Sequence, residues 1–201
     1  MKWISKINQV PQVALMSTDL ADILRFCISP DEFVPLRREV EILRRYMEIQ
    51  SIRLSGKCRL EVDMPPELEE CRVPKMILQP LAENAILHGL DGVEDGVIWV
   101  RVRSQGTQTL TISVEDNGRG LPPELMGPYT GPPETSGRGH LGLYNVDTIL
   151  KKHYGEAYGL RLGSRPGGPG AAVTASLPLR KEEEICLSLI HISEPTRLRC
   201  I

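Results

Sequence analysis

No stretch of the 201-residue chain approaches the roughly 18 to 20 consecutive apolar residues that a membrane-crossing helix needs. The first residues also lack the basic-then-apolar order of a signal peptide. An excess of one charge is missing too: Lys plus Arg number 24 and Asp plus Glu 26, a formal charge of -2. No field of a single sign would draw the protein onto nucleic acid or anionic lipid, so neither is expected as a partner. The 5 cysteines (Cys27, Cys58, Cys71, Cys186, Cys200) show neither the close pairs of a zinc site nor the even count of a disulfide framework. A reducing, cytoplasmic setting is expected. No internal repeat is visible. What is present is an ordinary globular share of hydrophobic residues, 41%, with 18 glycines and 16 prolines that imply loops with special backbone demands.

Along the chain, Val13, Met16, Leu20, Ile23 and Cys27 recur at spacings of three and four, which predicts a helical stripe ended by Ser29-Pro30-Asp31. A second helix is predicted from Pro35, in its first turn, to Leu54, with Glu41 and Arg45 as an i,i+4 pair on its outer face. Beyond Gly56 the period switches to two, and Cys58, Leu60 and Val62 predict a half-buried strand. Residues 73 to 90 read as a helix with Pro74 in its first turn, a kink at Pro80 and a stop at Gly89. Val97–Arg103 and Thr109–Glu115 form an expected antiparallel hairpin. A loop rich in proline and glycine, Leu121–Ser136, precedes a helix over 140–153, and Leu160–Arg165 with Ala171–Leu177 form the last strand pair. The expected architecture is α/β of the α+β kind, a two-layer sandwich with helices on one face of a mixed sheet, preceded by two helices. Three regions are expected: a helical region over 1–55, a mixed α/β domain over 56–180, and a non-native tail over 185–201.

Three segments carry the chemistry: Glu83-Asn84-Ala85-Ile86-Leu87-His88-Gly89, Asp116-Asn117-Gly118-Arg119-Gly120, and Gly137-Arg138-Gly139-His140-Leu141-Gly142-Leu143. A glycine pair after a strand is most often a turn, and a lone Gly-x-Gly-x-x-Gly arises by chance. Together they say more. The Asp116 carboxylate can accept a hydrogen bond from an exocyclic amine, while Gly118 and Gly120 let a flat base approach the backbone. Backbone N–H groups of Gly137, Gly139, His140, Leu141 and Gly142, at a helix start, can cradle phosphates. Asn84 offers a hard neutral oxygen to Mg²⁺, and Glu83 beside it is a candidate proton acceptor. The sum is an ATP site.

The order and spacing resemble the GHKL superfamily of gyrase, Hsp90, MutL and histidine kinases, with Glu83-Asn84 as its N box and the other segments as glycine boxes. Leu36-x-x-Glu39-Val40, Tyr46-Met47-Glu48-Ile49-Gln50-x-x-Arg53-Leu54, Leu78-Gln79-Pro80-Leu81-Ala82-Glu83-Asn84 and Gly139-His140-Leu141-Gly142-Leu143-x-Asn145-Val146 resemble the LytS-type sensor histidine kinases in particular. The likeness covers roughly residues 13 to 180, and implies that residues 1–55 are a partial helical dimerisation or linker region and 56–180 the ATP-binding catalytic domain. It implies the Bergerat ATP-binding fold, ATP and Mg²⁺ as cofactors, Asn84 on Mg²⁺ and Asp116 on adenine. It further implies Gly118 and Gly120 around the base, and Gly137, Gly139 and Gly142 on the phosphates beneath a lid formed by residues 121–136. The implied activity is transfer of the γ-phosphoryl group of ATP to a histidine and thence to a response regulator. The implied parent protein is a homodimer anchored in the inner or plasma membrane through an N-terminal region.

One departure bears on activity. The family's Pro-His-Phe-type acceptor motif has no counterpart among these residues, so the expectation is a chain cut before that histidine, with His88, His140, His153 and His191 unsuited to replace it. Two rival classes remain: an ATP-binding regulatory module without productive transfer, and a clamp-type GHKL ATPase. The second would need a transducer domain after Pro178.

Overall fold

A computed structural model describes residues 10–54, 56–131 and 141–180. The elements in chain order are α1 (Val10–Ile28), β1 (Phe33–Pro35), α2 (Leu36–Arg53), β2 (Cys58–Asp63), β3 (Arg72–Pro74), α3 (Leu78–Asn84) with a π-helical turn (Ala85–Gly89), β4 (Gly96–Gln105), β5 (Thr109–Asp116), β6 (Gly127–Pro128), α4 (Leu141–Tyr154), β7 (Gly159–Ser164) and β8 (Ala171–Pro178). Six strands form one sheet in the order β2-β4-β5-β8-β7-β6. β2 runs parallel to β4, and every other pair is antiparallel. A parallel pair needs a crossover, and α3 supplies it, which lays that helix on the sheet.

Period-two alternation decides the layering. Ile98, Val100 and Val102 of β4, Leu110, Ile112 and Val114 of β5, and Val173, Ala175 and Leu177 of β8 are all buried on one face. Against them pack Leu78, Leu81 and Ala82 of α3, Leu143, Val146 and Leu150 of α4, and Leu36, Leu43 and Met47 of α2, in one continuous core. Each such aliphatic burial contributes about 1.5–3 kcal/mol. The opposite face carries Arg59, Glu61, Trp99, Arg101 and Thr174, so the two-layer mixed sandwich expected from the pattern is the observed one.

Five local expectations are corrected. On α1 the buried residues are Asp19, Ile23 and Phe26, while Leu20 and Cys27 are exposed. The expected stripe holds at Ile23, but Asp19 and Phe26 take the places of Leu20 and Cys27 beside it, with Asp19 turned inward to an ion pair with Arg45 of α2 (2.9 Å). That pair also removes Arg45 from Glu41, whose carboxylate instead accepts from Arg38 (2.8 Å). Pro35 closes β1 and precedes α2, which begins at Leu36.

The N-terminal half of the helix expected over 73–90 is extended. Arg72–Pro74 pairs antiparallel with β1, Met76 adopts φ 66, and α3 starts only at Leu78. Pro80 is then the third residue of α3, within the turn whose N–H groups have no helical acceptor, so its ring breaks no hydrogen bond and gives no cause for a kink. The irregularity comes later, where Leu90 N–H donates to the Ala85 carbonyl (2.9 Å) across a five-residue π turn.

Candidate nucleotide site

A cavity of about 820 Å³ opens between the end of α3, the C-terminal end of β5 and the segment that follows β5. Asn84 and His88 stand on one wall, Asp116 and Ala171 at the back, and Arg119, Gly120 and Tyr129 on the other side. Its size is in the range of small-molecule sites.

The back wall exists because glycines let three backbones meet. A Cβ on Gly89 would lie 2.6 Å from the Asp116 carboxyl carbon, and one on Gly170 would lie 1.8 Å from the Asp116 carbonyl oxygen. Gly89 ends the helical segment, as expected, but without a positive φ, and it also allows the close approach. Gly118 is tucked behind the wall against the Gly89 backbone, and Gly120 takes a left-handed φ of 78 that lets the chain turn along the cavity rim.

Asp116 is 3% exposed. Its Oδ1 accepts from the Gly118 N–H (2.8 Å) and the Ala171 N–H (3.3 Å). No hydrogen bond among the described residues engages Oδ2. Burial pushes this carboxyl above the usual range, opposed by the two N–H donors and by the Arg165 guanidinium. The geometry leaves one acceptor oxygen of a buried carboxylate at a cavity wall, with glycine backbones beside it to admit a planar ring.

Asn117, next in the chain, turns the other way. Its Oδ1 accepts from Val97 N–H (2.7 Å) and its Nδ2 donates to the Asp95 carbonyl (2.8 Å), pinning the start of β4 to the end of β5. The sequence reading assigned it nothing, and it overlooked Ala171, whose N–H orients Asp116. The available signal was the run of small residues at the start of β8.

Asn84 meets the cavity, whereas Glu83 does not. The Glu83 carboxylate accepts from Gln79 Nε2 (2.9 Å) and faces Tyr46 of α2, whose phenol is pushed up by burial and by that carboxylate. Leu141 is exposed and Gly142 packs at the start of α4 against Pro80, where a Cβ would meet the ring at 3.2 Å. Neither lines the cavity. Gly137, Gly139 and His140 lie outside the described residues. Of the other histidines, His153 pairs with Glu32 (3.4 Å) and meets Phe33 edge-on at 5.0 Å, and His191 lies outside the described residues, as does the whole 185–201 tail.

The expected lid divides the same way. Residues 132–136 are outside the described residues, and 121–131 are more ordered than their composition implied. Gly127 and Pro128 pair with Leu162 and Arg161 of β7, and Tyr129 is buried with its N–H on the Leu160 carbonyl (2.9 Å). A segment whose sheet neighbour is remote in sequence shows no local pattern of its own.

Among the described residues no three His, Cys, Asp or Glu side chains stand together as a metal cage. The cavity offers a divalent ion the neutral Asn84 oxygen, which suits Mg²⁺ held mainly by phosphate and water. No helix among the described residues is long and apolar enough to cross a membrane.

Residues 72–181 match the family described as histidine kinase-, DNA gyrase B-, and HSP90-like ATPase, and residues 1–58 match the family described as histidine kinase. Sensor histidine kinase YesM of Bacillus subtilis is 33% identical over 182 residues, which cover 90% of this chain and 30% of that protein. Sensor histidine kinase BtsS of Escherichia coli is 33% identical over 154 residues, covering 76% and 25%. Sensor protein LytS of Bacillus subtilis is 30% identical over 155 residues, covering 75% and 26%. The chain thus spans less than a third of these relatives. In fold it is similar to the mycobacterial sensor histidine kinase MprB (TM-score 0.55, 23% identity, 75% of this chain and 98% of that one). It is similar also to the catalytic domain of histidine kinase ThkA (TM-score 0.55, 20% identity, 75% and 97%).

Proposed function

This chain belongs to the histidine kinase-, DNA gyrase B-, and HSP90-like ATPase family, and from that premise we propose that it is the ATP-binding catalytic part of a sensor histidine kinase. The observation that carries the proposal is the buried Asp116 carboxylate, held by two backbone N–H groups at the back of a glycine-walled cavity that also meets Asn84.

In this reading Asp116 accepts a hydrogen bond from the exocyclic amine of adenine, and Gly118 and Gly120 shape the space for its ring. Asn84 is a ligand of Mg²⁺, which neutralises charge on the transferring phosphoryl group when bound. Gly137, Gly139, His140, Leu141 and Gly142 hold the phosphates. The support for these last five is their order at the start of α4, whose first turn, beginning with Leu141 and Gly142, offers unpaired N–H groups.

The chain's contribution to transfer is chiefly positioning. Glu83 acts as proton acceptor only after its carboxylate leaves Gln79, since its observed contacts point it off the cavity wall. The γ-phosphoryl group of ATP goes to an imidazole nitrogen of a histidine on another segment, its bond to the β,γ-bridging oxygen breaking with ADP as the leaving group, and from there to a response regulator. His88 is built into the cavity wall, and His153 is engaged with Glu32 and Phe33, so neither is displayed for that exchange.

We assign residues 1–55 to a helical dimerisation or linker region and 56–180 to the catalytic domain. The boundary is functional, because α2 shares the core of the sheet. Leu20, Leu24 and Ile28 recur every fourth residue along the exposed side of α1, and a second copy of the chain is the partner proposed for them, giving the homodimer. In the parent protein the catalytic part faces the cytoplasm and the anchor lies elsewhere.

Isothermal calorimetry tests the core of this reading. ATP should bind in a Mg²⁺-dependent manner and GTP more weakly, and equal affinity would remove the role of Asp116. Adding a polypeptide that bears the family's acceptor helix should then yield acid-labile phosphate on its histidine, blocked by Asn84→Ala. Labelling of His88 or His153 in the chain alone would overturn the acceptor assignment.

A further inference from the structure

Glu39 is 3% exposed, lies on α2, and spends its carboxylate on the turn that begins α3. Oε1 accepts from Met76 N–H (2.7 Å), and Oε2 accepts from Ile77 N–H (3.0 Å) and Leu78 N–H (3.1 Å). The seven-residue α3 has no side-chain cap of its own, so a carboxylate from 37 to 39 residues away does the capping.

The junction is also conformationally demanding. Met76 is the one non-glycine residue with positive φ among the described residues, and a long side chain in that region is held there at the expense of its surroundings. The preceding Lys75 donates to the Cys27 (3.2 Å) and Ser29 carbonyls at the end of α1. Three helices therefore meet at residues 75–78. At the far end of α3, Tyr46, two turns along α2 from Glu39, faces Glu83.

We propose that Glu39 is a positioning residue for the nucleotide site: by gripping the amino end of α3 it sets where the Asn84 amide stands at the carboxyl end of the same helix. The reach is short. Seven residues of helix span about 10 Å, and a rigid element of that length carries a displacement from one end to the other. The base-binding carboxylate is held from other segments, by Gly118 and Ala171, and meets the helix that Glu39 grips at Gly89, at the end of the π turn. Glu39 thus acts first on the metal side of the site, since Asn84 ends the helix it grips and Gly89 lies five residues further, beyond the π turn. The inference rests on the reading of Asn84 as a Mg²⁺ ligand.

Three measurements on the full chain test it. In nucleotide-free Glu39→Gln, where an amide replaces the triple acceptor, the NMR signal of the Asn84 side-chain amide should shift while the backbone signal of Ala171, on β8, stays in place. The same variant should bind ADP without Mg²⁺ as the wild type does, yet lose about tenfold or more of the affinity that Mg²⁺ adds, the size typical of lost support behind a metal ligand. Coupling is reciprocal, so adding Mg²⁺ to ADP-saturated wild type should move the Met76, Ile77 and Leu78 amide signals. This last arm holds even if the variant does not fold. An unmoved Asn84 signal, an equal loss of affinity with and without Mg²⁺, or Met76–Leu78 amides indifferent to Mg²⁺ would each overturn the proposal. A wild type that binds no nucleotide would instead refute the functional reading, and the nucleotide-free spectra would still judge Glu39.

Discussion

Gly118 stands so close to Gly89 that a Cβ added to it would lie 1.9 Å from the Gly89 carbonyl oxygen. The N–H of Arg119 donates to that same oxygen (3.3 Å). Two motifs separated in sequence are thus in backbone contact, and the contact forms the back of the cavity.

Gly118→Ala should therefore push the π turn away from β5, lowering stability by about 1–3 kcal/mol, as overpacking of a close contact does. Nucleotide binding should fall with it. Gly163 of β7 is the control: its added Cβ would meet nothing within 4 Å and its φ is not positive. Gly163→Ala should stay within about 0.5 kcal/mol of wild type. Urea denaturation of both variants makes the comparison, and equal effects would remove the argument from close approach.

Asp116→Asn should separate stability from function. The amide oxygen can still accept from Gly118 and Ala171, but the second position now donates and opposes an exocyclic amine. ATP affinity should drop by about tenfold or more, in keeping with about 1–3 kcal/mol for an unmet buried polar group. The pH dependence has a definite sign. Burial raises the folded-state pKa of Asp116 above its ordinary value of 3.8. Its favourable contribution is then complete below that ordinary value and is lost as pH rises through the raised one. Relative to wild type, the asparagine variant should gain stability on going from pH 3.8 toward neutrality. Denaturant midpoints measured across that interval check it, and a relative loss would contradict the assigned cause.

Mg²⁺ should matter through Asn84. Saturating ATP at about 100 times its dissociation constant stabilises a native state by about 2.7 kcal/mol. In thermal melts, Asn84→Ala should keep the part of the nucleotide shift seen without metal and lose the increment that Mg²⁺ adds. An undiminished increment would assign the ion to other ligands.

Arg45→Met should loosen α1 from α2, because it strands Asp19, which is only 2% exposed. Arg45 is itself partly exposed, so water screens the pair and the loss should be about 1–2 kcal/mol, below the figure for a fully buried pair. Glu41→Ala, at the position paired with Arg45 by helical spacing alone, should change stability by less than about 0.5 kcal/mol. Amide hydrogen exchange along α1 would show the difference directly.

The sheet hairpin β4–β5, the pair β7–β8, the termination of α1 at Ser29 and the position of α4 were all legible, because each depends on apolar period and turn residues within a dozen positions. Asp116 and Asn84, which the fold brings to one cavity, were singled out for a different reason: their types and spacing belong to motifs that make sense only together. Arg45, Pro74 and the segment 127–129 were misread for a shared reason. Each takes its partner from elsewhere in the chain, namely Asp19, Phe33 and β7.

By itself, then, the sequence determined which elements form, which face of the sheet is buried and which side chains have the chemistry for an ATP site, since period, glycine and proline act over short range. Only the tertiary structure decided that Gly89 is a contact point between backbones, that Glu83 faces α2 and away from the cavity, and that Glu39 caps a helix beginning 39 residues later. Close approach, orientation and capping at a distance are properties of three-dimensional packing, and no local pattern encodes them.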